Sequence, residues 1–182
     1  MVYQEVYDAV NMIKAKYDEK DPKKLCGLMN IILVPKKWGT APDCIKGFYT
    51  VRNRIKAIAY NCDLPEPVQN IIICHEIGHS VLHKGQGTAT FSDVTLFDTN
   101  SIMENEANLF AAEFMLDDDD VLATMNEDNT FFASASMLGV PGEFLDFKFR
   151  IMKWKGYRLI EPPTNAKSTF LRNVETEDYY EQ

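Results

Sequence analysis

The sequence predicts an α+β fold in which a small sheet packs on one central helix and further helices follow. Three observations predict it: strand-like apolar runs between residues 31 and 60, a strongly apolar helical run at 66–83, and helical spacing of apolar residues on either side. The chain has 182 residues and is 46% hydrophobic, so it can bury a sizeable core. We expect a core domain at 1–120, a helical hairpin packed on it at 121–160, and an extended or partly disordered tail at 161–182.

Charge and cysteine content narrow the class of protein. The formal net charge of −8 disfavours general binding to nucleic acid or to an anionic membrane surface. The four cysteines form no CxxC pair, and the sequence shows neither a signal peptide nor an apolar run of about 20 residues. We therefore expect no disulfide framework and no membrane partner, and reduced cysteines in a cytoplasmic protein are the simplest account.

Local signals predict two helices at the start of the chain. Apolar residues recur at helical spacing over residues 2–17, namely at Val6, Val10, Ile13 and Tyr17. The pair Asp21-Pro22 is typical of a helix start, with aspartate as the cap and proline in the first turn. The short second helix would carry Leu25, Leu28 and Met29.

Three short runs then predict a sheet that precedes the central helix. The first is residues 31–34, ended by Pro35, and the others are residues 47–51 and 55–60, joined by a hairpin turn at 52–54. We expect these runs to form a small antiparallel or mixed sheet. The central helix opens at Pro65-Glu66-Pro67 and extends to about His83, where the following glycines, Gly85 and Gly87, end it.

The segments after the central helix are predicted to be mainly helical. A polar loop at 85–99 leads to a helix that Asn100-Ser101 caps and that extends to about Leu116. The acidic run at 117–120 predicts a solvated turn between helices. Residues 130–156 predict a helical hairpin with a break at 139–142.

The central helix contains the run His75-Glu76-Ile77-Gly78-His79, which is an HExxH motif. Positions i and i+4 share one helical face, so the two histidines can point their imidazoles at a single metal ion. Glu76 is rotated by about 100° around the axis and can reach a metal-bound water without being a ligand. This pattern is typical of zinc-activated hydrolysis with glutamate as general base. Gly78 carries a helix penalty of about 1 kcal/mol relative to alanine, which indicates a packing or site requirement.

A catalytic zinc site uses a third protein ligand, and spacing limits the candidates. His83 lies about two turns, or roughly 12 Å, from His75, so both cannot bind one ion on a straight helix. We expect His83 at the helix end or lining the cleft. In the next helix, Glu104 and Asn108 share a mostly small and apolar face, so we favour Glu104 as the ligand and keep Glu106 as the alternative. Asn108 could accept the outer N–H of a ligand histidine.

Two segments together resemble the ImmA/IrrE metallopeptidases, which are zincins of the gluzincin type. They are HEIGHSVLH (75–83) and ENEANLFAAEF (104–114). Upstream, DPKKLCGLMNIILVP (21–35) and IAYN (58–61) occur in the family's order. The resemblance covers roughly residues 5–117 well, and it extends more loosely to the hairpin at 130–156.

The resemblance implies a zincin-like, thermolysin-like core whose small sheet packs on the HExxH helix. It implies a Zn²⁺ cofactor held by His75, His79 and Glu104, with Glu76 as the catalytic residue. It also implies a zinc metalloendopeptidase that regulates transcription by cutting a helix-turn-helix repressor, often one linked to a mobile element or a stress response. That protein substrate is the expected partner, whereas nucleic acid is not expected to be one.

The sequence leaves several mechanistic points and alternative functions open. A substrate backbone would pair with an edge strand near residues 58–60, and His83 and Tyr60 are the candidates for a second oxyanion donor. One alternative function is a binding protein that grips a repressor or DNA without cutting it. Basic residues at 148–158 favour a DNA reader, but the aromatic density there favours a packed hairpin. A general housekeeping endopeptidase is another alternative.

Overall fold

Two helices and three strands precede the central helix, and further helices follow it. The structure, a computed structural model, describes residues 2–83, 99–125 and 129–173. Its elements in chain order are α1 (Val2–Tyr17), α2 (Pro22–Leu28), β1 (Ile31–Lys36), β2 (Gly47–Arg52), β3 (Ile55–Asn61), α3 (Glu66–Leu82), α4 (Thr99–Met115), α5 (Asp118–Met125), α6 (Phe131–Met137), α7 (Gly142–Trp154) and a 3₁₀ helix (Phe170–Asn173). The predicted α+β class is confirmed. Residues 85–98 of the loop predicted at 85–99 lie outside the described residues, as do the glycines predicted to end α3 and the tail beyond residue 173.

The two N-terminal helices follow their local signals. In α1 the buried side chains are Val6, Val10 and Ile13, which lie one helical turn apart. At the start of α2, the Asp21 carboxylate accepts a hydrogen bond of 2.8 Å from the Lys23 backbone N–H. Pro22 occupies the first turn, where its missing N–H costs nothing because that group has no partner within the helix. The predicted cap is therefore confirmed.

The three strands form one mixed sheet in the order β1-β3-β2. β1 is parallel to β3 and β2 is antiparallel to it, so that Leu33 and Tyr49 both lie opposite Ile58. Asn53 and Arg54 have φ angles of 52° and 65°, and two successive left-handed residues are typical of a two-residue hairpin turn. The predicted hairpin is confirmed, and β3 is the central strand.

One strand boundary differs from the prediction. β1 continues through Pro35 to Lys36 instead of ending before the proline. Within the described sheet β1 is paired on one side alone. Proline is tolerated on such an edge strand because its missing N–H can lie on the unpaired side.

α3 is buried on most of its surface because the sheet and α4 both pack against it. Ten of its 17 residues are buried, and they include His75 and Glu76. A Cβ placed on Gly78 would lie 3.2 Å from the Cα of Ala107 on α4. The glycine therefore lets the backbones of the two helices approach closely, which is the packing requirement that the sequence indicated.

Two predictions at the ends of α4 are wrong. The helix already includes Thr99, so Asn100 and Ser101 lie in a helical turn, and a cap residue has a non-helical backbone. At the other end, residues 118–120 open α5 instead of forming a turn. Acidic side chains stabilise the positive end of the helix dipole there, and Asp118 also lies 2.6 Å from the buried ammonium of Lys148.

The C-terminal part of the chain packs on the outer side of α4. α6 and α7 form the helical hairpin that the sequence predicted. After α7, residues 161–169 contain neither helix nor strand, and the 3₁₀ helix follows. Ala166, Phe170 and Leu171 are buried, and the Ala166 N–H donates a 2.9 Å hydrogen bond to Asp146 on α7. We call residues 161–173 the C-terminal strap.

All four cysteines are free, and Cys26 and Cys74 are buried in the core. The buried position of Cys74 matches its expected role as a small core residue. Across the described parts of the chain, every helix is too short or too polar to cross a membrane.

Candidate metal centre

Three ligand-type side chains converge where α3 crosses α4. The Nε2 atoms of His75 and His79 are 3.0 Å apart. The Glu104 carboxylate lies 3.3 Å from Nε2 of His75 and 3.4 Å from Nε2 of His79. In the described residues these three side chains form the group of histidine, cysteine and acidic residues that could hold a metal ion.

The spacing of these atoms fits a tetrahedral zinc ion. Zinc bonds to histidine nitrogen and carboxylate oxygen at about 2.0–2.2 Å, so tetrahedral ligand atoms lie roughly 3.3 Å from one another. The three observed separations are 3.0, 3.3 and 3.4 Å. Two imidazoles and one carboxylate are also one of the donor sets that catalytic zinc sites use.

Each part of the group is positioned by a separate feature of the fold. His75 and His79 share one face of α3 because they are four residues apart. Glu104 reaches them because Gly78 and Ala107 let α4 approach α3 closely. The side chain of Glu104 is 36% exposed, whereas that of His75 is 4% exposed, so the group opens to solvent on the carboxylate side.

The outer nitrogen of His75 contacts a buried amide. Its Nδ1 lies 2.8 Å from Oδ1 of Asn108, as the sequence predicted for this amide. The Nδ2 group of Asn108 in turn donates a 2.7 Å hydrogen bond to the Ser168 carbonyl in the C-terminal strap. Sequence reasoning missed this second contact, because Ser168 lies 60 residues away in a segment without periodicity.

The outer nitrogen of His79 contacts His83 at the end of α3. The two Nδ1 atoms are 3.0 Å apart, and Nε2 of His83 lies 2.9 Å from the Glu106 carboxylate. Glu106, the alternative ligand, therefore pairs with His83, while Glu104 lies with the other two ligand candidates. His83 was also a candidate oxyanion donor; both of its ring nitrogens already have partners in these contacts, and the donor role stays a prediction.

Glu76 is 8% exposed and lies beside the metal group. Burial raises the pKa of its carboxyl to about 7, and Glu104 adds to this rise, while His79 and a hydrogen bond from the Tyr49 backbone oppose it. A group that titrates near neutral pH can both accept and return a proton, which general acid–base catalysis requires.

The charges around the group are also set by burial and pairing. Burial tends to raise the pKa of Glu104, but hydrogen bonds from His75 and His79 outweigh it and hold the pKa well below its ordinary value. Burial lowers the pKa of His83 in spite of the opposing hydrogen bond to Glu106. At neutral pH Glu104 is therefore an anion, and His83 is neutral.

The edge strand nearest to the motif is β2 and not β3. A Cβ placed on Gly47 of β2 would lie 2.5 Å from Ile72 and 3.8 Å from Glu76, so β2 runs directly beside α3. β3 lies between β1 and β2, and its backbone groups are used on both sides. The predicted substrate-binding edge near residues 58–60 is therefore wrong, because alternation along a strand does not reveal its neighbours.

The basic segment at the C-terminus is largely neutralised by carboxylates. Lys148 is 1% exposed and pairs with Glu113 and Asp118. The other paired cations of this segment are Arg150, Lys153 and Lys155. These contacts favour the packed hairpin over the alternative of a DNA-reading surface.

The three side chains of the metal group are of the kind that a metal-dependent hydrolase could use. The sequence profile of the IrrE N-terminal-like domain, which defines a peptidase family, matches residues 42–150 of this chain. The chain therefore belongs to the ImmA/IrrE family of peptidases, as its motifs indicated.

One curated relative adds to this assignment. It is the uncharacterized immunity region protein 2 of Bacillus phage phi105, which is 34% identical over 146 residues. The match spans 80% of this chain and 90% of the phage protein. No solved structure matches the chain significantly, so the zincin-like character of the core stays a prediction.

Proposed function

We propose that this protein is a zinc-dependent endopeptidase that controls transcription by cutting a helix-turn-helix repressor at a specific site. The observation that carries the proposal is the convergence of His75, His79 and Glu104 within tetrahedral ligand spacing. Membership of the ImmA/IrrE peptidase family supports peptide-bond hydrolysis. The phage relative is named as an immunity region protein, which supports a repressor as substrate and a link to a mobile element.

A zinc ion and the residues of the chain would supply different parts of the chemistry. A bound zinc ion would supply Lewis acidity, which lowers the pKa of a coordinated water to about 7 and polarises a carbonyl. Glu76 takes the proton from the attacking water and returns it to the leaving amine. Its buried position and its pKa of about 7 suit both transfers.

In this proposal the substrate backbone lies along the outer edge of β2, which is the edge that does not pair with β3. Strand β2 is paired on one side alone within the described sheet, and strand addition to such an edge is a common way to bind an extended peptide. Gly47 holds the start of β2 close to Glu76. A peptide on this edge would therefore pass beside the general base.

The test uses the variant Glu76→Gln and, as candidate substrate, a helix-turn-helix repressor encoded beside this gene if one is found there. We expect the variant to keep one zinc per chain, because residue 76 is not a ligand, and to cut the repressor about 10²–10⁴-fold more slowly. Cleavage is followed by mass spectrometry of the repressor fragments. The matched control is Glu66→Gln, which removes an exposed carboxylate from the same helix and should cut at the wild-type rate.

The outcomes separate the proposed function from its alternatives. A Glu76→Gln protein that cuts at the wild-type rate would contradict the mechanism. A wild-type protein that binds zinc and the repressor but leaves it whole would favour the non-cutting binding protein. Broad digestion of casein would favour a housekeeping endopeptidase.

A further inference from the structure

A histidine and a glutamate lie directly behind the second candidate ligand. Nδ1 of His83 is 3.0 Å from Nδ1 of His79, and Nε2 of His83 is 2.9 Å from Oε2 of Glu106. The side chains of His83 and Glu106 are 7% and 19% exposed. Both contacts are thus shielded from water, so they are stronger than the same contacts on an open surface.

The proton positions in this chain of contacts follow from the ligand role of His79. Its Nε2 faces His75 and Glu104, so a ligand role leaves the hydrogen on Nδ1. That N–H donates to Nδ1 of His83, which must then carry its own hydrogen on Nε2. The Nε2–H donates in turn to the Glu106 carboxylate, so one arrangement of hydrogens satisfies every atom.

The backbone holds the two residues in place. His83 is the C-cap residue of α3, and its N–H donates a 3.1 Å hydrogen bond to the His79 carbonyl. Glu106 lies on α4, two residues after Glu104 and on a different side of that helix. The contact between them therefore joins the two helices that carry the candidate ligands.

We propose that His83 and Glu106 form a positioning pair, which fixes the ring orientation and the tautomer of His79 for metal binding. This inference rests on the proposed function, since it assigns His79 a ligand role. His75 has its own outer partner in the neutral amide of Asn108. The two ligand rings are thus held in different ways, and His79 alone is backed by a carboxylate through a second imidazole.

The substitutions at residue 83 can separate a positioning role from simple packing. His83→Leu fills the space but removes both hydrogen bonds. His83→Asn places an amide oxygen near the position of Nδ1, so it can still accept from His79 although it cannot reach Glu106. Glu106→Gln keeps an acceptor for His83 and removes the charge. The control is again Glu66→Gln, which removes an exposed charge from α3 far from the ligands.

The measurement is the zinc affinity of the metal-free full-length protein in competition with a chromophoric chelator. We expect His83→Leu to bind zinc about 10–100-fold more weakly than wild type, because loss of an outer partner of a ligand histidine has this effect. We expect His83→Asn to recover at least part of that loss, Glu106→Gln to lose less than His83→Leu, and the control to match wild type. Thermal unfolding of each metal-free variant reports any loss of packing separately.

The results distinguish this inference from the proposed function. If wild type binds one zinc and His83→Leu binds it equally well, the positioning pair is refuted while the enzyme stands. If wild type binds no zinc, the proposed zinc-dependent function is refuted, and the inference that rests on it is refuted with it. If His83→Leu does not fold, the affinities of His83→Asn and Glu106→Gln decide, and values equal to wild type in both would overturn the inference.

Discussion

At the scale of single residues, adjacent residues of the HExxH motif have different roles because the helix directs their side chains to different sides. His75 and His79 face the crossing with α4, whereas Glu76 faces the start of β2. Burial then gives Glu76 a pKa near neutral, while the two histidines keep Glu104 ionised. Two carboxylates beside the same metal group are thus suited to different roles by their surroundings.

Gly47 offers a residue-scale prediction about packing around the general base. A Cβ at this position would lie 2.5 Å from the Ile72 side chain and 3.1 Å from the Ala59 carbonyl. Gly47→Ala should therefore lower the free energy of unfolding by about 1–3 kcal/mol, measured by chemical denaturation. Gly27→Ala is the matched control, because it lies in α2 with nothing within 4 Å and should stabilise by up to about 1 kcal/mol. A neutral Gly47→Ala would mean that β2 does not approach α3 so closely.

At the scale of elements, the sequence predicts what is local and misses what depends on neighbours. The cap at Asp21 and the i, i+4 pair of the motif are encoded within one helical turn each. The close approach at Gly78 had a local signal too, in the cost of glycine inside a helix. The contacts of His83 with Glu106 and of Asn108 with Ser168 had no local signal, because they depend on how α3 crosses α4 and on where the strap docks.

The sheet shows the same limit. Each strand was predicted from its own residues, but the order β1-β3-β2 depends on a parallel pairing between segments more than 20 residues apart. The position of the open edge beside the metal group therefore could not be predicted. The start of α5 was missed for a similar reason, because Asp118 is paired with Lys148 of α7 and with Lys155, which follows α7.

The start of α5 provides an element-scale prediction about pH. Burial tends to raise the pKa of Asp118, but hydrogen bonds from Lys148 and Lys155 outweigh it and place the pKa below its ordinary 3.8. A lowered pKa in the folded state means that the stabilisation is present above about pH 3.8 and is lost as the pH falls through the folded-state value. Asp118→Asn should be less stable at pH 7, by about 1–3 kcal/mol, and should lose less stability than wild type below pH 4.

The measurement is urea unfolding at a series of pH values. Asp119→Asn is the matched control, because this neighbour is exposed and opens the same helix. Equal acid sensitivity of Asp118→Asn and wild type would show that the contact with the two lysines adds no pH-dependent stability.

At the scale of the whole molecule, the C-terminal strap is connected to the metal group. The Ser168 carbonyl accepts from Asn108, and Asn108 contacts His75. The strap itself is held by Asp146 and by Arg150, whose guanidinium lies 2.6 Å from the Ala166 carbonyl. Residues beyond the family-matched segment at 42–150 therefore take part in holding a candidate ligand.

This connection predicts that zinc binding and docking of the strap favour each other. Linkage requires that if the docked strap strengthens metal binding, the metal also strengthens docking of the strap. Amide hydrogen exchange of residues 166–171 should slow when zinc is added to the metal-free protein. In Asn108→Asp the carboxylate can still accept from His75 but has no N–H for Ser168, so the slowing should be lost while zinc still binds. Unchanged exchange in wild type on addition of zinc would contradict this coupling.

The proposed function depends above all on one zinc ion held by His75, His79 and Glu104. Titration of the metal-free protein with zinc, against a chromophoric chelator, tests it most directly. We expect wild type to bind one tight equivalent of zinc per chain. In Glu104→Gln the zinc affinity should fall at least about 100-fold through loss of a ligand, whereas in Glu106→Gln it should fall by no more than about tenfold, because an outer contact alone is altered. Wild-type protein without a stoichiometric site, or a Glu104→Gln variant with unchanged affinity, would contradict it.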